Sequence, residues 1–211
     1  MSNPVVKNAI LLALFALICT LFVVLTNQLT APQIIAQQQR KLSNSLKQVL
    51  PSQYVNQELL KSCREIRYPY YLGNKNWHKI WIAKQGQTVK GIAYQTTAPD
   101  GYNGAIRLLV GVMANGQIFG VRVISEHETP GLGDQIELRK SNWILSFNHK
   151  RLLSAHDKRW AVKKDGGMFD QFTGATITPR AVVKAVKRTL ELNQLKFDEI
   201  IASQRHCGDH S

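Results

Sequence analysis

Residues 170–190 read DQFTGATITPRAVVKAVKRTL. Within them Thr173, Gly174, Ala175 and Thr176 combine two hydroxyls with almost no side-chain bulk, directly ahead of a helical pattern. The helix is expected to start near Thr178-Pro179, with threonine as N-cap and proline at the first helical position. Val182, Val183, Val186, Leu190 and Leu192 give it an apolar arc, while Lys184, Lys187, Arg188 and Glu191 lie largely elsewhere. A helix N-terminus presents free N–H groups and the positive end of a dipole, which suits an anion and phosphate above all. Gly174 lets the backbone come close to a ligand, and Ala175 adds little bulk. A plainer reading uses the same residues: Thr176 and Thr178 cap the helix and Gly174 makes a turn. The four residues by themselves do not separate the two.

The elements that must position this loop are legible in part. Residues 79–84 (KIWIAK) and 88–98 (TVKGIAYQTTA) are strand-like, the second ending at the turn signal Pro99-Asp100-Gly101. Residues 106–125 predict a hairpin around Asn115-Gly116, a pair that fits a type I′ turn. The hairpin feeds into HETPGLG, residues 127–133, a second loop rich in small, backbone-exposing residues. Residues 136–148 read as an amphipathic helix and 159–164 as a strand.

The beginning of the chain bounds its setting. No charged side chain occurs over residues 8–39, and residues 9–25 are apolar apart from Cys19 and Thr20. Such a run crosses most of a hydrocarbon core of about 30 Å. A cleaved signal would carry a shorter apolar region, about 7–15 residues, and an A-x-A-like site, so the length favours a retained anchor. Lys7 precedes the span and Arg40, Lys41 and Lys47 follow it, which leaves the side of the membrane open. Residues up to Pro51 read as a polar helical stalk with Ile34, Leu42, Leu46 and Val49 as a narrow apolar stripe. The expected organisation is a short N-terminus (1–8), an anchor (9–29), a stalk (30–51), one domain (52–203) and a polar tail (204–211) that includes His206 and His210.

The net charge of +13 fits nucleic acid, a membrane surface or an acidic partner, but there is no RNA- or DNA-binding motif. The charge is spread along the domain, which suits an anionic membrane surface or docking on a complex. Lys163, Lys164 and Lys184 lie near the threonine loop, either to complement phosphate or an acidic partner or as solvated charge. The three cysteines have no metal-ligand spacing; Cys63 and Cys207 are either a pair, in an extracytoplasmic domain, or two unrelated thiols.

The pattern Asp170-x-x-Thr173-Gly174-Ala175-Thr176 resembles the flavinylation motif of the covalent FMN-binding domain family. HETPGLG is similar to the second signature of that family. With the length, the single span and the motif order, nearly the whole chain resembles the G subunits of Rnf (Rsx) ion-translocating electron-transport complexes. The C subunits of sodium-pumping NADH:quinone reductases are related but larger.

The resemblance implies an α+β fold with a largely antiparallel twisted sheet and packed helices. It implies FMN joined by a phosphoester to the hydroxyl of Thr176 by a dedicated flavin transferase. Asp170 and Thr173 are then motif residues that the transferase recognises and that shape the loop, and Thr178 is the cap beside them. Thr129, Pro130, Gly131, Leu132 and Gly133 form a facing wall, the alternative being a surface turn without ligand contact. His127 and Glu128 are either proton partners of the flavin or orienting residues. The chain would then belong to the cell inner membrane with a periplasmic domain. It would relay electrons between other subunits of the complex and would not turn over NADH alone. The rival is a membrane-tethered binding or scaffold module without covalent cofactor.

Overall fold

The computed structural model describes residues 4–154 and 156–208; His210 and the side chain of Ile34 lie outside the described residues. Two units are compact in themselves, residues 1–42 and 43–211. Helix α1, Pro4–Lys47, opens the chain. Within its segment Pro4–Ala31 a window of 18 residues reaches a mean hydropathy of 2.9 with none of it buried, so the segment is long and apolar enough to cross a membrane.

The second unit is built on a five-stranded antiparallel sheet in the order β1-β2-β3-β4-β5. The strands are β1 Arg64–Ile66, β2 His78–Gln85, β3 Thr88–Ala98, β4 Ile106–Met113 and β5 Ile118–Ser125. Short helices α2, Gln57–Lys61, and α3, Pro69–Leu72, flank β1. The long helix α4, Ile177–Ala202, packs on β3 and β4. The α+β class and the antiparallel sheet are as the sequence implies.

Side chains alternate across a strand, and here both faces are buried. Ile92 and Tyr94 of β3 and Leu108, Val110 and Val112 of β4 join the main core beneath α4, with Val182, Val186 and Leu190. The opposite face carries a row that narrows to small residues on β3, β4 and β5. Trp81, Ala93, Gly111 and Gly120 form one row across β2, β3, β4 and β5. Into that row the chain lays residues 46–50, and Leu46, Val49 and Leu50 are fully buried. The approach is backbone on backbone: a Cβ on Gly111 would lie 1.6 Å from the Val49 carbonyl oxygen, and one on Gly120 2.4 Å from that of Gln48. Arg122 Nε donates to Gln48 Oε1 at 2.9 Å and fixes the register.

The hairpin stands where the sequence puts it, but its turn differs. Gly116 has a φ of 77° while Asn115 has no positive φ, which excludes type I′. Gly116 N–H donates to Met113 O and Met113 N–H to Gln117 O, both at 2.8 Å. The connection is a three-residue loop with glycine in the left-handed position, and Asn115 Oδ1 accepts from Gln117 N–H at 3.0 Å.

Two further expectations fail over residues 136–164. The helix expected over 136–148 is broken into 3₁₀ turns, Gly133–Ile136 and Trp143–Phe147. Ser141 causes the break: its hydroxyl donates to Gln135 O at 2.7 Å and accepts from Trp143 N–H at 3.1 Å, a local bond that competes with the helix. Residues 159–164 are not a strand, because no sheet edge pairs with them. Their backbone partners come from residues 167–169 instead, with Lys163 N–H on Phe169 O at 2.7 Å and Met168 N–H on Arg159 O at 2.9 Å. Aromatic packing holds this segment: Phe147 stacks on Phe169 at 4.5 Å between centroids, and Trp143 meets Phe172 edge-on at 5.2 Å.

The C-terminal segment returns to the sheet. Cys207 is disulfide-bonded to Cys63, His206 bridges to Arg64, and Glu65 N–H donates to Arg205 O at 3.0 Å. The expected polar tail, as far as it is described, is fastened beside β1.

The glycine row makes a direct prediction. Gly111→Ala forces Val49 away from the sheet and should lower stability by roughly 1–3 kcal/mol, the usual range for overpacking. The exposed control Lys84→Ala should change it by less than about 0.5 kcal/mol. Urea unfolding of the two variants measures the difference, and an unchanged midpoint for Gly111→Ala would contradict the packing described.

Candidate functional site

A cleft of about 290 Å³ lies between the loop after β5, the loop 101–104 and the start of α4. Glu128, Thr129, Leu132 and Gly133 form one side, Gly174 to Thr178 the other, and Tyr102 a third. The two loops singled out in the sequence, some 40 residues apart, therefore face each other.

Glu128 is the joint. Its side chain is buried, 4% exposed, and every oxygen is used. Oε2 accepts from Tyr102 N–H at 3.2 Å and Oε1 from Asn103 N–H at 3.0 Å. Thr178, itself 1% exposed, donates its hydroxyl to Oε2. A buried carboxylate is tolerable only when donors surround it, and here the donors come from two different segments. The Glu126 carboxylate in turn accepts from the Glu128 N–H. Gly133 makes room at the same point, since a Cβ there would lie 2.8 Å from Glu128 Cβ and 2.9 Å from Thr178 Oγ1.

The loop 127–133 closes on itself. Leu132 and Gly133 N–H both donate to Thr129 O at 3.1 Å, and Gly131 N–H donates to Asp134 Oδ1 at 2.7 Å. Gly131 has a φ of 78°, which the Thr129-Pro130-Gly131 turn requires. His127, Pro130 and Gly131 shape this loop but do not line the cleft.

Helix α4 begins two residues earlier than the sequence predicts. Thr176 is the N-cap residue, with φ −84° and ψ −21°, and its side chain makes no capping bond. Thr178 cannot cap because its hydroxyl is committed to Glu128. Pro179 falls at the third helical position and supplies no N–H there. The first-turn amides of Ile177 and Thr178 are orphan donors by helix geometry, beside the Thr176 hydroxyl. Gly174 has a φ of 80°, which turns the chain so that Ala175 and Thr176 face the cleft.

Asp170 and Thr173 are exposed and do not line the cleft. The Asp170 carboxylate meets Lys163 at 2.5 Å on the surface, and its carbonyl accepts from Trp143 Nε1 at 2.7 Å, which ties the loop to the aromatic cluster. Three cations near the loop, Lys163, Arg180 and Lys184, are engaged by carboxylates. Lys184 pairs with Asp100 at 2.5 Å. Arg180 grips Asp165 with two bonds of 2.6 Å, and this hydrogen-bonded pairing holds the Asp165 carboxyl below the usual carboxylate range. Tyr102 and Ile177 line the cleft although nothing in the sequence marked them as site residues; a turn signal ahead of Tyr102 was the one available cue.

The structure is thus an α+β domain, an antiparallel sheet backed by a long helix with a small-residue cleft at that helix's N-terminus. The family model described as FMN-binding domain matches residues 101–191, which hold every residue lining the cleft, and the model of the RnfG N-terminal region matches residues 1–49. The G subunit of the ion-translocating oxidoreductase complex of Shewanella loihica is 52% identical over 207 residues, 98% of each chain. The G subunit of Shewanella oneidensis is 47% identical over 98% of each chain, and that of Vibrio vulnificus 44% identical over 100% of this chain and 99% of its own. The chain belongs to the family of G subunits of ion-translocating oxidoreductase complexes, RnfG.

The reassigned threonine can be tested. Thr178→Ala removes a donor from a buried carboxylate and should cost about 1–3 kcal/mol. Aspartate is a good N-cap, so Thr178→Asp would be tolerated at a capping position. Against Glu128 it places two carboxylates together and should destabilise more than Thr178→Ala. Thermal unfolding of the pair decides between the roles; equal stability of Thr178→Asp and the unmodified protein would restore the cap.

Proposed function

We propose that this protein carries FMN in phosphoester linkage on Thr176 and relays electrons through it within the complex. The observation that carries the reading is the state of Thr176. Its hydroxyl makes no capping bond, stands in the cleft and lies beside the N-terminal amides of α4. Small residues, Gly174 and Ala175, leave the approach open to a transferase. The cleft residues fit the group: a helix N-terminus for phosphate, and Leu132, Ile177 and Tyr102 as exposed apolar surface for a ring system. FMN supplies one- and two-electron chemistry when bound; the protein supplies attachment, position and electrostatics. Glu128 holds the two walls in place, a positioning role that its full set of donors supports over proton exchange.

The same reading places the domain on the periplasmic side of the inner membrane, with Pro4–Ala31 as the anchor. The Cys63–Cys207 disulfide supports that side, because such bonds persist in oxidising compartments. Donor and acceptor of the electrons are then other subunits of the complex, and maturation needs a flavin transferase.

Thr176→Ala removes the oxygen that forms the ester and should fold normally, since an unbonded hydroxyl contributes little. Intact mass spectrometry after co-production with the transferase should find the FMN adduct on the unmodified protein and none on Thr176→Ala. An adduct that persists in the variant moves the site elsewhere, and no adduct on the unmodified protein ends the covalent reading. For the membrane side, a reporter that matures only in the periplasm, fused after Ser211, should be active. Activity of a cytoplasm-only reporter at that point would reverse the orientation.

A further inference from the structure

Three aromatic side chains of the folded unit are strongly exposed: Tyr70 at 65%, Tyr102 at 64% and Trp77 at 45%. Two of them have partners. Tyr70 meets Tyr71 edge-on and carries the Arg188 guanidinium 5.0 Å above its ring, and Trp77 is covered by Arg205 at 4.2 Å. The Tyr102 ring has no aromatic or cationic partner among the described residues, and it lines the cleft.

Its exposure is not that of a loose loop. The backbone N–H groups of Tyr102 and Asn103 are both bound to the buried Glu128 carboxylate. Gly101 is pressed so closely against the rest of the loop that a Cβ would lie 2.1 Å from Gly104 O. The fold thus uses a buried charge to hold in place a residue whose ring it leaves uncovered. Tyr102 is also the one aromatic among the cleft-lining residues described. Leu132, by contrast, reaches over Gly174, 3.7 Å from where a Cβ would stand, and so covers the attachment loop rather than the far wall.

The geometry points to Tyr102 as the aromatic wall against which the isoalloxazine ring rests, and as a residue that sets the flavin's reduction potential. This rests on the proposed FMN attachment. An aromatic face is electron-rich and disfavours added electron density on a ring stacked against it. The Tyr102 ring therefore stabilises oxidised FMN relative to reduced FMN. The same contact quenches flavin fluorescence.

The test uses the full-length, membrane-extracted protein loaded by the transferase. Tyr102→Ala leaves Thr176, Thr178 and Glu128 untouched and removes a mostly exposed side chain, so loading by mass and the urea midpoint should match the unmodified protein. Its flavin fluorescence should rise several-fold and its midpoint potential, measured by reductive titration against reference dyes, should become less negative. Tyr102→Phe keeps the ring and should behave as the unmodified protein. Loaded Tyr102→Ala with unchanged fluorescence and potential overturns the inference. So does a Tyr102→Phe variant that shifts as far as alanine, because the hydroxyl would then be the active part. Failure of both variants to load would assign Tyr102 to transferase recognition and overturn it as well. Absence of flavin on the unmodified protein is a separate result, and it removes the attachment proposal instead.

Discussion

The buried Glu128 carboxylate sets the terms for the rest of the site. It cannot be desolvated without donors, and its donors are the backbone of residues 102–103 and the hydroxyl of Thr178. A single side chain thereby fixes the separation of three segments that are far apart in the chain. Each has its own local closure as well: the loop after β5 closes on Thr129 O, the 101–104 loop is a tight turn, and the N-cap of α4 is Thr176. Remove the carboxylate and the cleft loses its common reference. Residue choice nearby follows from this constraint, including Gly133, where no Cβ fits beside Glu128 and Thr178.

The sheet answers a different demand, that of joining a helix-borne chain to a domain. One face is ordinary core under α4. The other has been reduced to Ala93, Gly111 and Gly120 so that the backbone at residues 48–49 can lie on it directly. Glycine weakens a strand, since it adds no side-chain packing and has more conformational freedom to lose. The three buried side chains Leu46, Val49 and Leu50 offset that loss, because each removes apolar surface from water at about 25 cal/mol per Å². Residues 43–50 thus fold with the domain rather than trailing from it.

Much of this was legible in the sequence, for reasons that differ by element. β2, β3, the hairpin and the arc of α4 follow from periodicity and turn residues, which are local signals. So are the two loops, whose small residues stand out against apolar strands. Some misses are cases in which a distant group decided the outcome, and others in which a local bond outweighed the pattern. Thr178 has the composition of a cap, but Glu128, 50 residues earlier, takes its hydroxyl. Residues 159–164 have strand composition, yet residues 167–169 of their own loop supply the bonds. Ser141 breaks an amphipathic pattern whose apolar positions are still used, Ile136, Ile144 and Phe147 all being buried. Tyr102 was invisible because nothing local distinguishes a tyrosine in a turn from one that completes a cleft. The glycines at 111 and 120 gave no signal as a pair, since their meaning lies in cross-strand register.

The size of the cleft bears on why a covalent bond would be used. At about 290 Å³ it sits at the lower edge of the ~300–1,000 Å³ usual for ligand pockets that enclose most of their ligand. Leu132 and Ile177, on its walls, remain 41% and 46% exposed, so the site is a shallow seat rather than an enclosure. Affinity from such a seat is modest, because little apolar surface is removed from water and the nearby cations, Lys163, Arg180 and Lys184, are already paired with carboxylates. An ester to Thr176 replaces affinity with connectivity: once made, the flavin stays at high local concentration whatever the depth of the seat. A shallow seat then becomes useful, since a ring edge left open to its surroundings can be approached by a redox partner in a complex. Deepening the cleft would strengthen reversible binding but would also bury the edge through which electrons would pass in the proposed relay.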